Sequence, residues 1–202
     1  MTAEDHLRVF IAVELPATIR EELADLQNML SPGLEPGIKW VAPDSIHLTL
    51  KFLGNVPVTR IPELQKVIEE ATSRSRPFRL ELAGLGAFPS RQRPEVIWCG
   101  LQGETYQLTQ LQRQIENSLR PLEFPAETQP FSPHLTLARL RRDAGVNVRH
   151  QLAARLSENL PVSGSAFTVE TVSLMQSRLT PTGPIYTRLA EFLLSDSNQG
   201  RS

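Results

Sequence analysis

The sequence predicts an α+β fold with largely antiparallel sheets, built as two similar lobes that face each other. One observation is that strand and helix patterns do not alternate regularly along the chain, as they would in a parallel α/β sheet. Another is that the tetrapeptide His-Leu-Thr-Leu occurs at 47–50 and again at 134–137, each time with a proline four residues and a serine two residues before the histidine. Two copies are too few for a repeat array, so they indicate a duplicated lobe.

The first half of the chain begins with a strand and a helix. Residues 8–15 (RVFIAVEL) are rich in β-branched and aromatic side chains and predict a strand, which Pro16 ends. From Ile19 the apolar residues follow helical spacing as far as the turn signal at 31–33. The proline- and glycine-rich stretch up to Pro43 predicts a loop that leads into the first HLTL strand.

The remaining patterns give three more helices and four more strands besides the second HLTL segment. The helical patterns cover residues 60–73, 104–119 and 147–159, the last with Asn147 as its cap. The strand patterns cover residues 78–83, 96–101, 167–176 and 186–194. Cys99, the only cysteine, is predicted to be a buried structural thiol. Residues 1–194 are thus predicted to form one bilobal domain, followed by a polar, disordered tail over 195–202.

Composition and charge are those of an ordinary globular protein. The 202 residues are 40% hydrophobic and 21% charged, and the apolar runs are far too short to span a bilayer. The N-terminal residues do not resemble a signal peptide, so a cytoplasmic protein is expected. The net charge of -1 argues against broad electrostatic nucleic-acid binding, although it allows a local basic groove. No interface signal is evident, which favours a monomer without an obligate protein partner.

Each HLTL segment carries a histidine and a threonine two residues apart. On a strand His47 and Thr49 point to one face, as do His134 and Thr136, while the leucines point to the other. If the two strands lie side by side or are related by a pseudo-twofold axis, one space contains two imidazoles and two hydroxyls. This set suits displacement at phosphorus, because one histidine accepts a proton while the other donates one near neutral pH. The hydroxyls, and Arg139 just beyond the second strand, would contact phosphate oxygens.

Other functions are less consistent with this pattern. A zinc site needs three or four ligands, and neither copy supplies a second histidine, a cysteine or a nearby acid. His6 and His150 are expected at solvated positions outside the site. A phosphate- or RNA-binding module without turnover and a phosphodiesterase for another small cyclic phosphate remain as alternatives. The two intact His/Thr pairs favour an enzyme, because binding alone would tolerate the loss of one imidazole.

Beyond HLTL, several segments resemble the RNA 2′,3′-cyclic phosphodiesterases, also called 2′-5′ RNA ligases, of the two-histidine (2H) phosphoesterase superfamily. These segments follow the family's order over roughly residues 7–190 and are RVFIAVELP, IHLTLKFLGNV, GLGAFPSRQRPEVIWCGL, FSPHLTLAR and SLMQSRLTPTGPIYTRL. The resemblance implies a bilobal α+β fold with a cleft between the lobes. It also implies hydrolysis of 2′,3′-cyclic phosphate ends of RNA or nucleotides to 2′-phosphates, with no metal or cofactor and with 2′-5′ ligation as the reverse reaction.

The resemblance also implies a role for each motif residue. His47 would be the proton donor to the leaving 3′ oxygen, and His134 would be the proton acceptor that activates water. Phe52 lies where an aromatic side chain can stack on a base, although burial in the core suits a phenylalanine equally well. The residues that would hold the phosphate are Thr49, Thr136 and Arg139.

Overall fold

The structure is a computed structural model that describes residues 5–158, 162, 164–181 and 183–195. These residues form four α-helices and nine β-strands. The helices are α1 (Ala17–Leu30), α2 (Ile61–Thr72), α3 (Thr105–Leu119) and α4 (Val146–Ser157). The strands are β1 (His6–Glu14), β2 (Ile38–Trp40), β3 (His47–Pro57), β4 (Phe78–Pro89), β5 (Pro94–Gly103), β6 (Leu135–Leu140), β7 (Ala166–Val169), β8 (Thr171–Thr180) and β9 (Gly183–Leu193). The predicted α+β class is confirmed.

The strands form one antiparallel sheet that divides into two lobes. The strand order is β7-β4-β5-β6-β3-β1-β8-β9, and β2 also pairs with β6. The first lobe is β3-β1-β8-β9 and the second lobe is β6-β5-β4-β7. They meet where β3 pairs with β6, and this pairing is limited to Leu48 and Leu135. The two predicted lobes are therefore present, joined through their HLTL strands.

The two halves of the sequence exchange strands between the lobes. Apart from the short strands β2 and β7, the order strand, helix, HLTL strand, helix, strand occurs first as β1, α1, β3, α2, β4 and then as β5, α3, β6, α4, β8. The last strand of each series pairs with the first strand of the other, β4 with β5 and β8 with β1. Neither half of the sequence therefore forms a lobe by itself.

The helices bury the apolar faces that their spacing predicts. In α1 the buried residues include Ile19, Leu23, Leu26 and Leu30, and in α3 they include Leu108, Leu111, Ile115 and Leu119. Gln27 of α1 is also buried, and its Nε2 donates to the carbonyls of Val41 at 2.7 Å and Leu137 at 2.9 Å. This amide fixes α1 against the HLTL strand of the second lobe.

Two predicted boundaries are wrong because long-range pairing decides them. The stretch before Pro43, predicted as a loop, contains β2, which is held as a strand by its pairing with β6. The single strand predicted over 167–176 is two strands separated by Glu170. Since β7 pairs with β4 and β8 pairs with β1, the chain crosses from the second lobe to the first at this residue.

The ends of the chain's last helix also differ from the prediction. Helix α4 begins at Val146 with Gly145 as its N-cap, so Asn147 lies inside the first turn and does not cap it. The helix ends at Ser157, and the predicted end at residue 159 lies outside the described residues. The predicted tail over 195–202 also lies outside them, apart from its first residue.

The remaining cysteine and histidine predictions are confirmed. Cys99 is fully buried, its thiol donates to the carbonyl of Ala83 at 3.2 Å, and burial raises its pKa to about 12. His6 and His150 are exposed. None of the helices in the described part of the chain combines the length and the apolar content needed to cross a membrane.

Candidate active site

The two HLTL segments lie side by side in the middle of the sheet. Because their first leucines pair in antiparallel register, His47 lies across from Thr136, and Thr49 lies across from His134. These leucines are fully buried in the core, so the flanking histidines and threonines point to the opposite face of the sheet. The structure thus brings both His/Thr pairs together on one face, with the two imidazoles on a diagonal.

A β-bulge follows the threonine of the first copy. Neighbouring residues of β1 pair with Thr49 and Lys51, which leaves Leu50 as an extra residue in β3. A bulge of this kind shifts the alternation of side chains by one position. Phe52, an odd number of residues after His47, therefore lies on the same face as that histidine, whereas regular alternation would place it on the core face.

The second copy has the same bulge. Neighbouring residues of β5 pair with Thr136 and Ala138, which leaves Leu137 as the extra residue in β6. The shift brings Arg139 onto the face of His134. Arg139 lies inside β6 and not beyond the strand as predicted, because β2 and β5 both continue the pairing as far as this residue.

Phe52 and Arg139 are thus equivalent positions of the two copies with different chemistry. Phe52 is 60% exposed, and its ring lies 5.9 Å from that of Phe10, so its alternative assignment to the core is wrong. Arg139 is exposed, and its positive charge acts on the hydroxyl of Tyr186. Burial raises the pKa of that hydroxyl and the arginine opposes the rise. The pseudo-symmetric scaffold therefore presents an aromatic ring from one copy and a cation from the other.

His47 is held in a half-buried aromatic environment. Its Nδ1 donates to the carbonyl of Ser45 at 2.9 Å. The imidazole lies 4.7 Å from the ring of Phe10 and 5.0 Å, edge-on, from that of Tyr186. Burial lowers the pKa of His47, and the hydrogen bond to Ser45 and the negative charge of Glu14 act against this lowering.

His134 has a matching arrangement in the second lobe. Its Nδ1 donates to the carbonyl of Ser132 at 2.7 Å. The imidazole lies 5.0 Å, edge-on, from Phe88 and 6.3 Å from Trp98. The indole of Trp98 is packed against Gly86, where an added Cβ would come within 2.2 Å of the ring. A side chain at Gly86 would therefore displace the ring that flanks His134.

The two backbone contacts determine which nitrogen of each histidine can exchange protons. A carbonyl oxygen only accepts hydrogen bonds, so Nδ1 of both rings must carry a proton. Nε2, on the far side of each ring, is left to donate or accept a proton at a bound substrate. The serine two residues before each histidine makes the same contact in both copies through its backbone carbonyl, which does not depend on the serine side chain.

In the strand pairing of the described residues, His47 has a carboxylate as its partner and His134 does not. Glu14 is the register partner of His47, accepts two hydrogen bonds from Arg188 at 2.7 and 3.1 Å, and accepts one from Ser173 at 2.6 Å. Burial raises the pKa of Glu14, but these hydrogen bonds outweigh it and keep the pKa below its usual value. The corresponding residue of β5 is Gly100. The charge of Glu14 therefore distinguishes the first lobe from the second.

We expect the Glu14→Gln substitution to lower the pKa of His47. The carboxylate favours the charged imidazolium, so removing its charge leaves burial less opposed. The Arg188→Gln substitution should shift the pKa of His47 upward, because it leaves the charge of Glu14 without its bidentate partner. Titration of the His47 ring by NMR measures both shifts. Equal or same-signed shifts in the two variants would contradict the role given to Glu14.

A groove of about 680 Å³ opens beside Thr49 and His134. It lies between β3, the β4–β5 hairpin, α3 and the loop that precedes His134. The residues that line it are Thr49, Leu50, Lys51, Phe52, Phe88, Pro89, Glu95, Val96, Gln112, Glu127, Gln129, Pro130, Phe131, Ser132 and His134. The groove is thus continuous with the His/Thr face of the sheet.

Five residues that surround the two histidines were not predicted from the sequence. They are Phe10, Glu14, Phe88, Trp98 and Tyr186. Phe10 belongs to a small apolar cluster on the site face, with Ala12 and Met175, that is separate from the main core. The continuous apolar run of β1 could have indicated this cluster. Such a run predicts a strand that is buried on both faces and therefore packs against apolar side chains on its second face as well.

Comparison with known proteins agrees with the duplicated site. The family model described as LigT like phosphoesterase matches residues 13–98 and again residues 101–186, so each match contains one HLTL segment. A Methanothermobacter thermautotrophicus protein named RNA 2′,3′-cyclic phosphodiesterase is 32% identical over 189 residues, which are 93% of this chain and 99% of the relative. An Aeropyrum pernix protein of the same name is 36% identical over 177 residues, 88% of this chain and 97% of the relative.

Solved structures show the same relationship. A Thermus thermophilus crystal structure superposes with a TM-score of 0.78 at 31% identity and covers 95% of this chain and 100% of its own. Escherichia coli LigT complexed with 3′-AMP superposes with a TM-score of 0.75 at 26% identity, covering 94% and 99%. These matches over most of the chain confirm the resemblance inferred from the motifs. The chain belongs to the LigT-like phosphoesterase family.

Proposed function

We propose that this protein is a metal-independent RNA 2′,3′-cyclic phosphodiesterase that opens cyclic phosphate ends of RNA or nucleotides to 2′-phosphates. The observation that carries the proposal is the pair of imidazoles on one sheet face, each with Nδ1 bonded to a carbonyl and Nε2 free to exchange a proton. Two relatives of this name, which match the chain over almost their full length, support the proposal. A cytoplasmic monomer, with no obligate protein partner, is part of the proposal.

The reaction needs one proton acceptor and one proton donor on opposite sides of the phosphorus. Nε2 of His134 takes a proton from water, whose oxygen forms the new bond to phosphorus. The bond from phosphorus to the 3′ oxygen breaks, and Nε2–H of His47 gives its proton to that oxygen. The 2′ ester bond is kept, so the product carries a 2′-phosphate. Each proton transfer contributes roughly 10²- to 10⁴-fold to the rate.

Three side chains are proposed to hold the phosphate during this displacement. The hydroxyls of Thr49 and Thr136 donate to non-bridging oxygens, and Arg139 adds a charge-assisted hydrogen bond. Removal of one such donor at a charge-developing oxygen costs roughly 10²- to 10³-fold in turnover. Phe52, exposed and at the edge of the groove, is proposed to stack on a base.

One neighbour of His47 favours its assignment as the proton donor. The donor must be charged before the reaction, and only His47 has a carboxylate as its register neighbour, Glu14. Burial has the larger effect and lowers the pKa of His47, and the charge of Glu14 partly offsets this in favour of the imidazolium.

Product analysis in excess EDTA tests the proposed function. The substrates are a 2′,3′-cyclic mononucleotide and a short RNA ending in a 2′,3′-cyclic phosphate, and phosphorus NMR identifies the product. We expect turnover of both, with the 2′-phosphate as the product. A 3′-phosphate as sole product would reverse the donor and acceptor, and loss of turnover on adding EDTA would end the metal-independent proposal. Binding without any turnover would favour the non-catalytic alternative.

A further inference from the structure

The two histidines have aromatic neighbours of the same geometry but of different chemistry. Tyr186 lies edge-on to the imidazole of His47, with 5.0 Å between the ring centroids and 88° between the ring planes. Phe88 lies edge-on to the imidazole of His134, at 5.0 Å and 85°. Because a phenylalanine makes this contact in the second lobe, the packing of the Tyr186 ring does not require a hydroxyl.

The hydroxyl of Tyr186 has no hydrogen-bond partner among the residues that the structure describes. Its ring is half-buried in the small apolar cluster of the site face, 5.2 Å from the ring of Phe10. A tyrosine packed in this way usually bonds its hydroxyl to a polar group. Burial raises the pKa of the hydroxyl, so it stays protonated near neutral pH. Tyr186 therefore offers an unused donor on the site face.

Strand β9, which carries Tyr186, curls over the site face toward the second lobe. In the sheet, β8, β1 and β3 lie between β9 and β6, so a flat sheet would keep these two strands roughly 19 Å apart. Nevertheless, Nζ of Lys39, on the strand β2 that pairs with β6, lies 3.8 Å from the position that a Cβ would take at Gly183 of β9. The charge of Arg139 on β6 likewise reaches the Tyr186 hydroxyl. The curvature thus brings this hydroxyl toward the cations of the second lobe.

The cations on this side of the site have no ion-pair partner within the described part of the chain. Arg139 and Arg8 both act electrostatically on the Tyr186 hydroxyl. Lys39 is the cross-strand partner of Arg139, so their side chains point to the same face. All three cations are exposed. The unused donor therefore lies among positive charges that favour an anion.

We propose that Tyr186 is a further substrate-binding residue whose hydroxyl donates a hydrogen bond to the same phosphate group as Arg139. A hydrogen bond to an anionic phosphate oxygen is roughly twice as strong as one between neutral groups. The inference rests on the proposed function, which places the phosphate between the two histidines. The hydroxyl would add to those of Thr49 and Thr136 and meet a non-bridging oxygen from the side of His47, leaving both proton transfers to the histidines.

Removal of the hydroxyl alone tests this contact. Tyr186→Phe keeps the ring and gives His47 the kind of neighbour that His134 already has. We expect kcat/KM for a 2′,3′-cyclic nucleotide to fall roughly 10- to 100-fold, the loss that follows removal of a hydrogen bond to a charged group. The matched control is Tyr106→Phe, which removes the hydroxyl of the only other tyrosine, exposed on α3, and should keep wild-type kcat/KM. Wild-type kcat/KM in Tyr186→Phe would overturn the proposal.

Tyr186→Leu separates the effect of the ring from that of the hydroxyl. Loss of the ring exposes His47 and should raise its pKa in an NMR titration, because burial is what lowers that pKa. Tyr186→Phe should leave the pKa of His47 near its wild-type value while kcat/KM falls. An equal pKa shift in the two variants would mean that the hydroxyl acts through His47, and it would overturn a direct contact with substrate.

Binding of inorganic phosphate, measured by calorimetry, tests the same contact without turnover. The Kd should rise about tenfold or more in Tyr186→Phe and stay unchanged in Tyr106→Phe. If the wild type shows this difference in binding but does not hydrolyse cyclic nucleotides, the proposed function fails and the phosphate contact of Tyr186 stands. If hydrolysis occurs and Tyr186→Phe changes neither kcat/KM nor Kd, the contact fails and the proposed function stands.

Discussion

Alanine at either His47 or His134 should lower kcat for hydrolysis of a 2′,3′-cyclic nucleotide by roughly 10²- to 10⁴-fold. Each substitution removes the Nε2 that exchanges a proton with substrate, while the neighbouring threonines and the buried leucines of the HLTL strand remain. KM should change less than kcat, because phosphate binding is assigned to the hydroxyls and Arg139. Steady-state kinetics on the purified variants measure both constants.

Two comparisons make this experiment specific to the paired imidazoles. His150→Ala, at an exposed position of α4, should keep wild-type kinetics, and thermal unfolding should show that all variants are folded. The double variant should be no more than about tenfold worse than the poorer single variant, because both histidines act in one transition state and their effects do not add. Wild-type turnover in either single variant would rule out the two-histidine mechanism.

Local periodicity explains what the sequence could predict about this site. Alternation of side chains on a strand is a property of a few consecutive residues, so the common face of His47 and Thr49 follows from HLTL alone. The buried stripes of the helices follow from their spacing for the same reason. The repeated setting of the two motifs also predicted that both belong to one site. In the structure the pairing of Leu48 with Leu135 joins them.

Features that depend on strand pairing could not be predicted in this way. The bulges at Leu50 and Leu137 bring Phe52 and Arg139 onto the site face, and a bulge is visible only in the register between two strands. The break at Glu170 likewise arises because its two flanking strands pair with different lobes. These contacts join residues that are far apart in the sequence. Local sequence patterns carry no information about such contacts.

The asymmetry between the lobes has the same origin. Glu14 reaches His47 because β1 pairs with β3, and it is fixed by Ser173 and Arg188 from the other end of the chain. The motif residues are nearly symmetric in sequence, so the chemical difference between the two half-sites lies in neighbours that the fold supplies.

A buried ion pair connects the first HLTL strand to the loop that leads into the second. Lys51 of β3 donates to Glu116 of α3 at 3.0 and 2.9 Å and to the carbonyl of Pro125 at 2.8 Å. Glu116 in turn accepts the backbone N–H of Glu127 at 3.2 Å. The pair therefore holds one wall of the groove. The same wall continues to Ser132, whose carbonyl accepts the Nδ1 hydrogen of His134.

The Lys51→Met substitution should lower the free energy of unfolding by about 3 to 5 kcal/mol, because it leaves the carboxylate of Glu116 buried without its cation. For a domain of this size the midpoint of thermal unfolding should fall by about 10 °C or more. Glu63→Gln removes the exposed ion pair between Arg60 and Glu63, whose side chains are 37% and 51% exposed. This control should cost less than about 1 kcal/mol. Calorimetry or denaturant titration gives both values.

The double variant Lys51→Met/Glu116→Leu separates stability from positioning. Replacing both charges by apolar groups of similar volume should restore most of the lost stability, since no buried charge is left unpaired. The carbonyl of Pro125 loses its partner in both the single and the double variant, and the N–H of Glu127 loses its partner in the double variant. The groove wall should therefore be displaced in both, and KM for the cyclic nucleotide should be higher than in the wild type. A double variant with wild-type stability and wild-type KM would mean that the pair stabilises the fold without positioning the loop.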